Sequence, residues 1–230
     1  MTGLLSLNNI AMEYGPLSGN DAPYRVFAGL NFTLSEGERV AIVGRNGCGK
    51  STLLRIMAKI VAPRSGEVLW APGVTVSLLS LGLGFRNELT GRENAYLSCL
   101  LQGLSRQDAR TSLLAIEDFC ELGAFFDKPV LTYSAGMRAR LGFAAALENR
   151  SKVILIDEVL SVGDKLFRDK ARETLYGELT GDRGVVLVTH ADGEIKRLCQ
   201  RALLLEGGRF AAEGEPASVL ADYAVLDAKK

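Results

Sequence analysis

The nine residues Gly44-Arg45-Asn46-Gly47-Cys48-Gly49-Lys50-Ser51-Thr52 carry the clearest chemistry in this sequence. They fit G-x-x-x-x-G-K-[ST], in which glycines let backbone N–H groups converge on a polyphosphate where a Cβ would block the approach. Val40-Ala41-Ile42-Val43 before them reads as a strand, and Leu53-Leu54-Arg55-Ile56-Met57 after them as a helix. A helix starting in the loop adds unpaired N–H groups and the positive end of its dipole. In this pattern Lys50 reaches the β- and γ-phosphates as a mobile point charge, the Ser51 hydroxyl ligates Mg2+, and Thr52 supports the first turn. Gly44, Asn46, Gly47, Cys48 and Gly49 complete the cradle. For Cys48 two readings stand side by side: a helix N-terminus favours thiolate over thiol, and a small thiol also fills space.

Three further groups fall where such a loop needs help. Lys152-Val153-Ile154-Leu155-Ile156-Asp157-Glu158 is an unbroken apolar run ending in two carboxylates. Such runs mark strands buried on both faces of a parallel sheet, and ligands gather at the carboxyl ends of those strands. Asp157 is placed to hold Mg2+ through water, and Glu158 to orient or deprotonate an attacking water. Gly184-Val185-Val186-Leu187-Val188-Thr189-His190 repeats the theme, and its far end carries the single histidine of the chain, a candidate phosphate contact. Ser134-Ala135-Gly136-Met137 opens a helix running from Arg138 to Glu148, which offers either a second anion site or an ordinary Ser N-cap.

The elements that must position these groups follow from the pattern. Leu4 to Tyr14 and Val26 to Leu34 read as strands forming an antiparallel sheet ahead of the loop. Tyr14 closes the first of them and either stacks on a nucleobase or simply packs. Pro63, Ser65 and Gly66 mark a turn before short strands at Val68–Trp70 and Val74–Leu79. From Arg92 to about Leu122 the spacing turns helical, with Ala109, Leu113, Ile116 and Cys120 on one face and Ser105 placed as an N-cap. Ala202 to Ala212 reads as a hairpin turning at Gly207-Gly208, and Pro216 as the start of a last helix.

Bulk properties exclude several classes. A chain of 230 residues with 47% hydrophobic content can bury the core of one domain, with a lobe inserted in it. Lys+Arg and Asp+Glu are 27 each, so no basic excess argues for a nucleic-acid partner. Cys48, Cys99, Cys120 and Cys199 lack C-x-x-C spacing, which suits reduced cytosolic thiols. No apolar stretch approaches the roughly 18 to 20 residues that span a bilayer, and the first residues lack a signal peptide's basic region.

Assembled, these residues resemble the nucleotide-binding subunit of ABC transporters along nearly the whole chain. Gly44 to Thr52 is similar to Walker A, Val153 to Asp157 to Walker B with Glu158 as its catalytic glutamate, Ser161-Val162-Gly163-Asp164 to the D-loop, and His190 to the switch histidine. Ser134-Ala135-Gly136-Met137 stands where that family carries L-S-G-G-Q, so Ser134 and the N–H groups around Gly136 carry over as γ-phosphate donors. The usual Q-loop glutamine near Ser80 is missing, since Gln occurs only at 102, 107 and 200. Leu81 to Phe85 with Glu88 to Asn94, Tyr133 to Phe143, and Asp157 to Asp164 resemble the ATPases that export capsular polysaccharide, O-antigen or teichoic acid. Capsule export is the nearer match, since the chain is too short for the extra carbohydrate-binding domain of some O-antigen exporters.

The resemblance implies an α/β P-loop NTPase fold with a mainly parallel core sheet, an N-terminal antiparallel β subdomain and an inserted α-helical subdomain. Residues 1–84 and 151–230 would form the RecA-like core and β subdomain, and about 85–150 the helical part. It further implies ATP and Mg2+, and a head-to-tail homodimer in which Lys50 of one copy and Ser134 of the other share a nucleotide. Two copies of an integral membrane permease would handle a lipid-linked polysaccharide at the cytoplasmic face of the inner membrane. The rivals are a soluble ABC ATPase of translation or DNA repair, a P-loop kinase or GTPase, and a nucleotide-gated module that hydrolyses nothing.

Overall fold

The computed structural model describes residues 3–15, 23–79, 84–148, 150–157, 165–179 and 181–228. It divides into two compact units, one from residues 1–78, 152–158 and 181–230, the other from residues 79–151 and 159–180.

The first unit holds two sheets. β1 (Gly3–Tyr14) pairs antiparallel with β2 (Tyr24–Ser35) in a register that sets Leu7 against Phe32 and Tyr14 against Tyr24. Leu5, Leu7, Ile10 and Met12 of β1, and Phe27, Leu30, Phe32 and Leu34 of β2, point into one apolar core. The other edge of β1 takes β4 (Ser65–Trp70), also antiparallel. This strand starts at Ser65, where the sequence predicts a turn, because Ser65 lies opposite Ala11 and the ladder extends that far.

The second sheet has six strands in the order β5-β6-β7-β3-β8-β9. These are β3 (Arg39–Val43), β5 (Val76–Leu79), β6 (Val153–Asp157), β7 (Gly184–Val188), β8 (Arg201–Glu206) and β9 (Arg209–Gly214). The β6/β7, β7/β3 and β3/β8 pairs are parallel, and β8/β9 is an antiparallel hairpin. Val40 to Val43, Val153 to Ile156 and Gly184 to Val188 are all buried, as continuous β-branched runs in central parallel strands require. Their parallel direction puts the ends of β3, β6 and β7 at one edge. α1 (Lys50–Met57) packs near β6 and β7 through Leu53, Leu54 and Ile56, which are fully buried. α6 (Asp192–Leu198) and α7 (Pro216–Asp227, with Pro216 in its first turn) complete this unit.

The second unit is helical. α2 (Gly91–Leu101) starts at a capping box in which Thr90 and Glu93 exchange side-chain and backbone bonds, and α3 (Arg106–Cys120) starts at Ser105, whose hydroxyl accepts from Asp108 N. Asn94 is buried and fastens the segment before α2. Its Oδ1 accepts from Arg86 N at 2.7 Å, and its Nδ2 donates to the carbonyls of Arg86, Leu89 and Thr90. α4 (Ala135–Leu147) starts three residues ahead of the predicted Arg138, and α5 (Lys165–Glu178) packs against it through the rings of Phe143 and Phe167, with Phe119 of α3 joining them. The expected boundaries assign α5 to the core, since its polar face hides the Phe167, Ala171 and Leu175 stripe that seats it here. Gln102 and Gln200 are both in structural service, donating to Ala145 O and accepting from Arg39 N respectively.

Candidate functional site

The loop from Gly44 to Gly49 joins β3 to α1, and two of its glycines are demanded by neighbours. Gly49 caps α1 at φ 107°, and a Cβ there would lie 2.6 Å from Val26 Cγ1 and 2.8 Å from Phe27 Cε1. At Gly44 a Cβ would meet the Leu205 carbonyl oxygen, with Cys48 Sγ 2.9 Å away. The β2 and β8 strands therefore press the loop into a tight curl, in a region of φ that only glycine enters cheaply.

Lys50 is buried inside that curl. Its Nζ donates to Gly44 O at 2.7 Å and Arg45 O at 3.0 Å, so the ammonium is compensated by loop carbonyls. A cavity of about 370 Å3 opens beside it, lined by Asn46, Gly47, Gly49 to Thr52, and Asp157. Asp157 is the half-buried last residue of β6 and pairs in register with Val188 of β7. Ser51 and Asp157 thus give one hydroxyl and one carboxylate to a single cavity. Among the described residues no group of three or more His, Cys, Asp or Glu forms a metal cage. A cation held by a hydroxyl and a carboxylate would draw its other donors from water and phosphate.

His190 follows β7, which lies between β6 and β3, and so stands at the same carboxyl edge. It is exposed and does not line the cavity. The turn carrying it is fixed by Thr189, whose Oγ1 accepts from Ala191 N at 3.2 Å. Tyr14, thirty residues ahead of the loop in sequence, is brought to it: its hydroxyl lies 3.3 Å from Thr52 Oγ1, and its ring remains partly exposed. Tyr24 is its cross-strand neighbour and is also exposed, an aromatic that nothing local in the sequence distinguishes from a strand-edge tyrosine.

Of the two readings of Cys48, the structure favours the space-filler. Burial pushes its thiol above the ordinary value and outweighs the Lys50 charge and the backbone N–H groups that pull the other way. It lies against Gly44 as a half-buried filler.

In the helical unit Ser134 is the N-cap of α4, its Oγ accepting from Met137 N at 3.1 Å. Ser134 and Ala135 are exposed and Gly136 is half-exposed. Met137, standing where the signature glutamine is usual, packs onto the apolar core of its own unit. Tyr133 steadies the approach: it is buried, donates to Phe125 O at 2.7 Å, and its phenol is pushed up to about 12 by that burial. Glu158, Ser161 to Asp164 and Leu81 to Leu83 lie outside the described residues.

A phosphate-cradling loop with its lysine, a hydroxyl and a strand-end carboxylate on one cavity, in this sheet order, defines a P-loop nucleotide-binding fold. Comparison with known proteins narrows it. The sequence profile described as "ABC transporter" matches residues 27–161. The O-antigen export system ATP-binding protein RfbB of Klebsiella pneumoniae is 38% identical over 200 residues, 87% of this chain and 81% of that one. Its namesake in Myxococcus xanthus is 40% identical over 195 residues, and the teichoic acids export ATP-binding protein TagH of Lactococcus lactis 36% over 218 residues. These matches cover 85% and 95% of this chain, which spans less than half, 44% and 46%, of those two proteins' length. A solved dimer of an ATP-binding cassette in a post-hydrolysis state with ADP and Pi shares the fold, with a TM-score of 0.77 at 24% identity over 93% of this chain and 99% of that chain. The chain belongs to the ABC transporter ATPases, within the group of ATP-binding proteins that includes the O-antigen and teichoic acid export systems.

Proposed function

We infer that this chain is the ATP-hydrolysing subunit of an ABC exporter that moves a lipid-linked surface polysaccharide, capsular polysaccharide above all, across the inner membrane. The observation that carries the reading is the cavity where the P-loop, Lys50, Ser51 and Asp157 meet, in a chain similar to polysaccharide-export ATP-binding proteins over most of its length.

In this mechanism an incoming triphosphate replaces the carbonyls that Lys50 Nζ now holds. The α1 N–H groups and the lysine spread over the β- and γ-phosphates. Ser51 and Asp157 would hold Mg2+, which neutralises phosphate charge. Glu158 takes the proton of the attacking water, His190 contacts the γ-phosphate, and Tyr14 lies along the base. A second copy, facing head to tail, adds the Ser134 hydroxyl and the N–H groups around Gly136 to the same γ-phosphate. Nucleotide then joins the copies and hydrolysis parts them. That cycle drives two permease copies docked on the helical unit, and the subunit is cytoplasmic and peripheral on the inner membrane. No helix among the described residues is long and apolar enough to cross a membrane. The membrane path, in this reading, belongs to the permease.

The test is Glu158→Gln. It should leave ATP binding intact and lower phosphate release by about 100-fold or more, the usual loss for a general base. Near-normal turnover would overturn the role of Glu158. Affinity purification should recover an integral membrane protein; recovery of nucleic acid instead would favour a soluble ATPase of translation or repair.

A further inference from the structure

Arg45, the second residue of the P-loop, is bound from two sides by unrelated parts of the fold. Its carbonyl accepts from Lys50 Nζ at 3.0 Å and from Cys48 N at 3.2 Å. Its side chain runs the other way, to α7, which packs on β8 and β9 and beside α6 and β3. There the guanidinium donates to the Leu226 carbonyl oxygen. This is one of the carbonyls in the last turn that a helix leaves without an internal partner. Arg45 Nε is buried, lacks a hydrogen bond of its own among the described residues, and lies 3.5 Å from Asp227 Oδ1. A cation at this place also meets the negative end of the α7 dipole.

The consequence appears when a nucleotide arrives. Lys50 must then turn from the Gly44 and Arg45 carbonyls toward phosphate, and the loop loses two internal tethers at the moment it has to hold shape. The contact with α7 involves neither Lys50 nor the cavity, so it survives the exchange. We propose that Arg45 is a positioning residue that locks the P-loop to the end of α7, so that the seating of α7 sets nucleotide affinity. Tyr223, one turn back on α7, is close as well: its phenol is held above the ordinary value, first by its burial and then by the Asp227 carboxylate. The proposal rests on the nucleotide-site reading above, and Lys50→Ala is the separate control for that reading.

The experiment titrates a fluorescent ADP analogue with Mg2+ into the full chain and its variants, and follows KM and kcat for ATP. Arg45→Met keeps the length of the side chain but loses both contacts, and should raise the dissociation constant about five- to tenfold, the worth of one or two charge-assisted contacts at half exposure. Its KM should rise by a similar factor while kcat at saturating ATP changes less than about twofold, since uniform binding is what is lost. Asp227→Lys sets a like charge against Arg45 and should weaken binding about two- to fivefold, at the scale of an exposed ion pair. In the Arg45→Met background the same change should do nothing. Unaltered affinity in Arg45→Met, or an Asp227→Lys effect that persists without Arg45, overturns the clamp. If Lys50→Ala binds nucleotide as well as the parent chain, the site reading falls and the clamp with it.

Discussion

Replacing Gly49 by Ala strikes the loop where its geometry is most constrained. The new Cβ would stand 2.6 Å from Val26 Cγ1 and 2.8 Å from Phe27 Cε1, where ordinary van der Waals contact begins at 3.4 Å. The backbone at φ 107° is a second obstacle, since side chains other than glycine's rarely adopt it. Backbone strain of this kind costs about 1–3 kcal/mol, and overpacking against a settled core about 1–3 kcal/mol more. The sum, roughly 2–6 kcal/mol, should lower Tm by roughly 5 to 20 °C in a chain of this size. Gly47→Ala separates the two contributions, because Gly47 has φ 80° but no atom within 4 Å of the place its methyl group would take. It should show the strain alone, about half the shift or less. Thermal unfolding by circular dichroism, without nucleotide, measures both. A Gly49→Ala chain melting within about two degrees of the parent, or a Gly47→Ala chain equally damaged, would refute the claim that β2 dictates the glycine.

Two further outcomes follow from the helical unit and the thiols. Asn94→Ala leaves the Arg86 N–H without its buried acceptor, while the carbonyls of Arg86, Leu89 and Thr90 keep backbone donors, and should cost about 1–3 kcal/mol in urea unfolding, whereas a loss under about 0.5 kcal/mol would mean water replaces the side chain easily. Burial pushes the Cys99 and Cys120 thiols up to about 11 and Cys199 up to about 12, from an ordinary value of 9.0. The folded chain then holds these protons more tightly than the unfolded one, so their contribution is complete below about pH 9 and is lost as pH rises through 11 to 12. Cys199→Ala should therefore flatten the fall of Tm between pH 9 and about 11 relative to the parent; identical slopes would count against a buried thiol there.

Much of the site is legible in the sequence because its physics is local. The P-loop announces itself through glycine spacing and flanking periodicity, and the unbroken run ending at Asp157 betrays a strand buried on both faces. Ser134 and Ser105 are legible as caps for the same reason, each accepting from an N–H three residues on. Distant partners set what the sequence hides. The Cys48 thiol rises because the folded chain buries it, and that burial decides between two readings the sequence leaves open. Arg45 is an arbitrary loop residue in sequence, and only the fold brings α7, about 180 residues later, beside it. Tyr14 approaches Thr52 only because β1 and the P-loop helix share one unit, and α5 joins the helical unit through Phe167.

At the centre of the proposed mechanism, one nucleotide is gripped by the P-loop of one copy and the α4 N-terminus of another. A mixture of two inactive variants tests this grip. Lys50→Ala disables a copy's own loop, and Ser134→Glu sets a negative charge where the partner's γ-phosphate would lie. Each variant alone should be dead. In a head-to-tail dimer, mixed pairs assemble one site with both halves intact, so equal mixing should restore up to about a quarter of parental phosphate release per chain, by the symmetry of random pairing. A mixture as inactive as its components would show that each chain completes its site alone or not at all, and would contradict the shared grip.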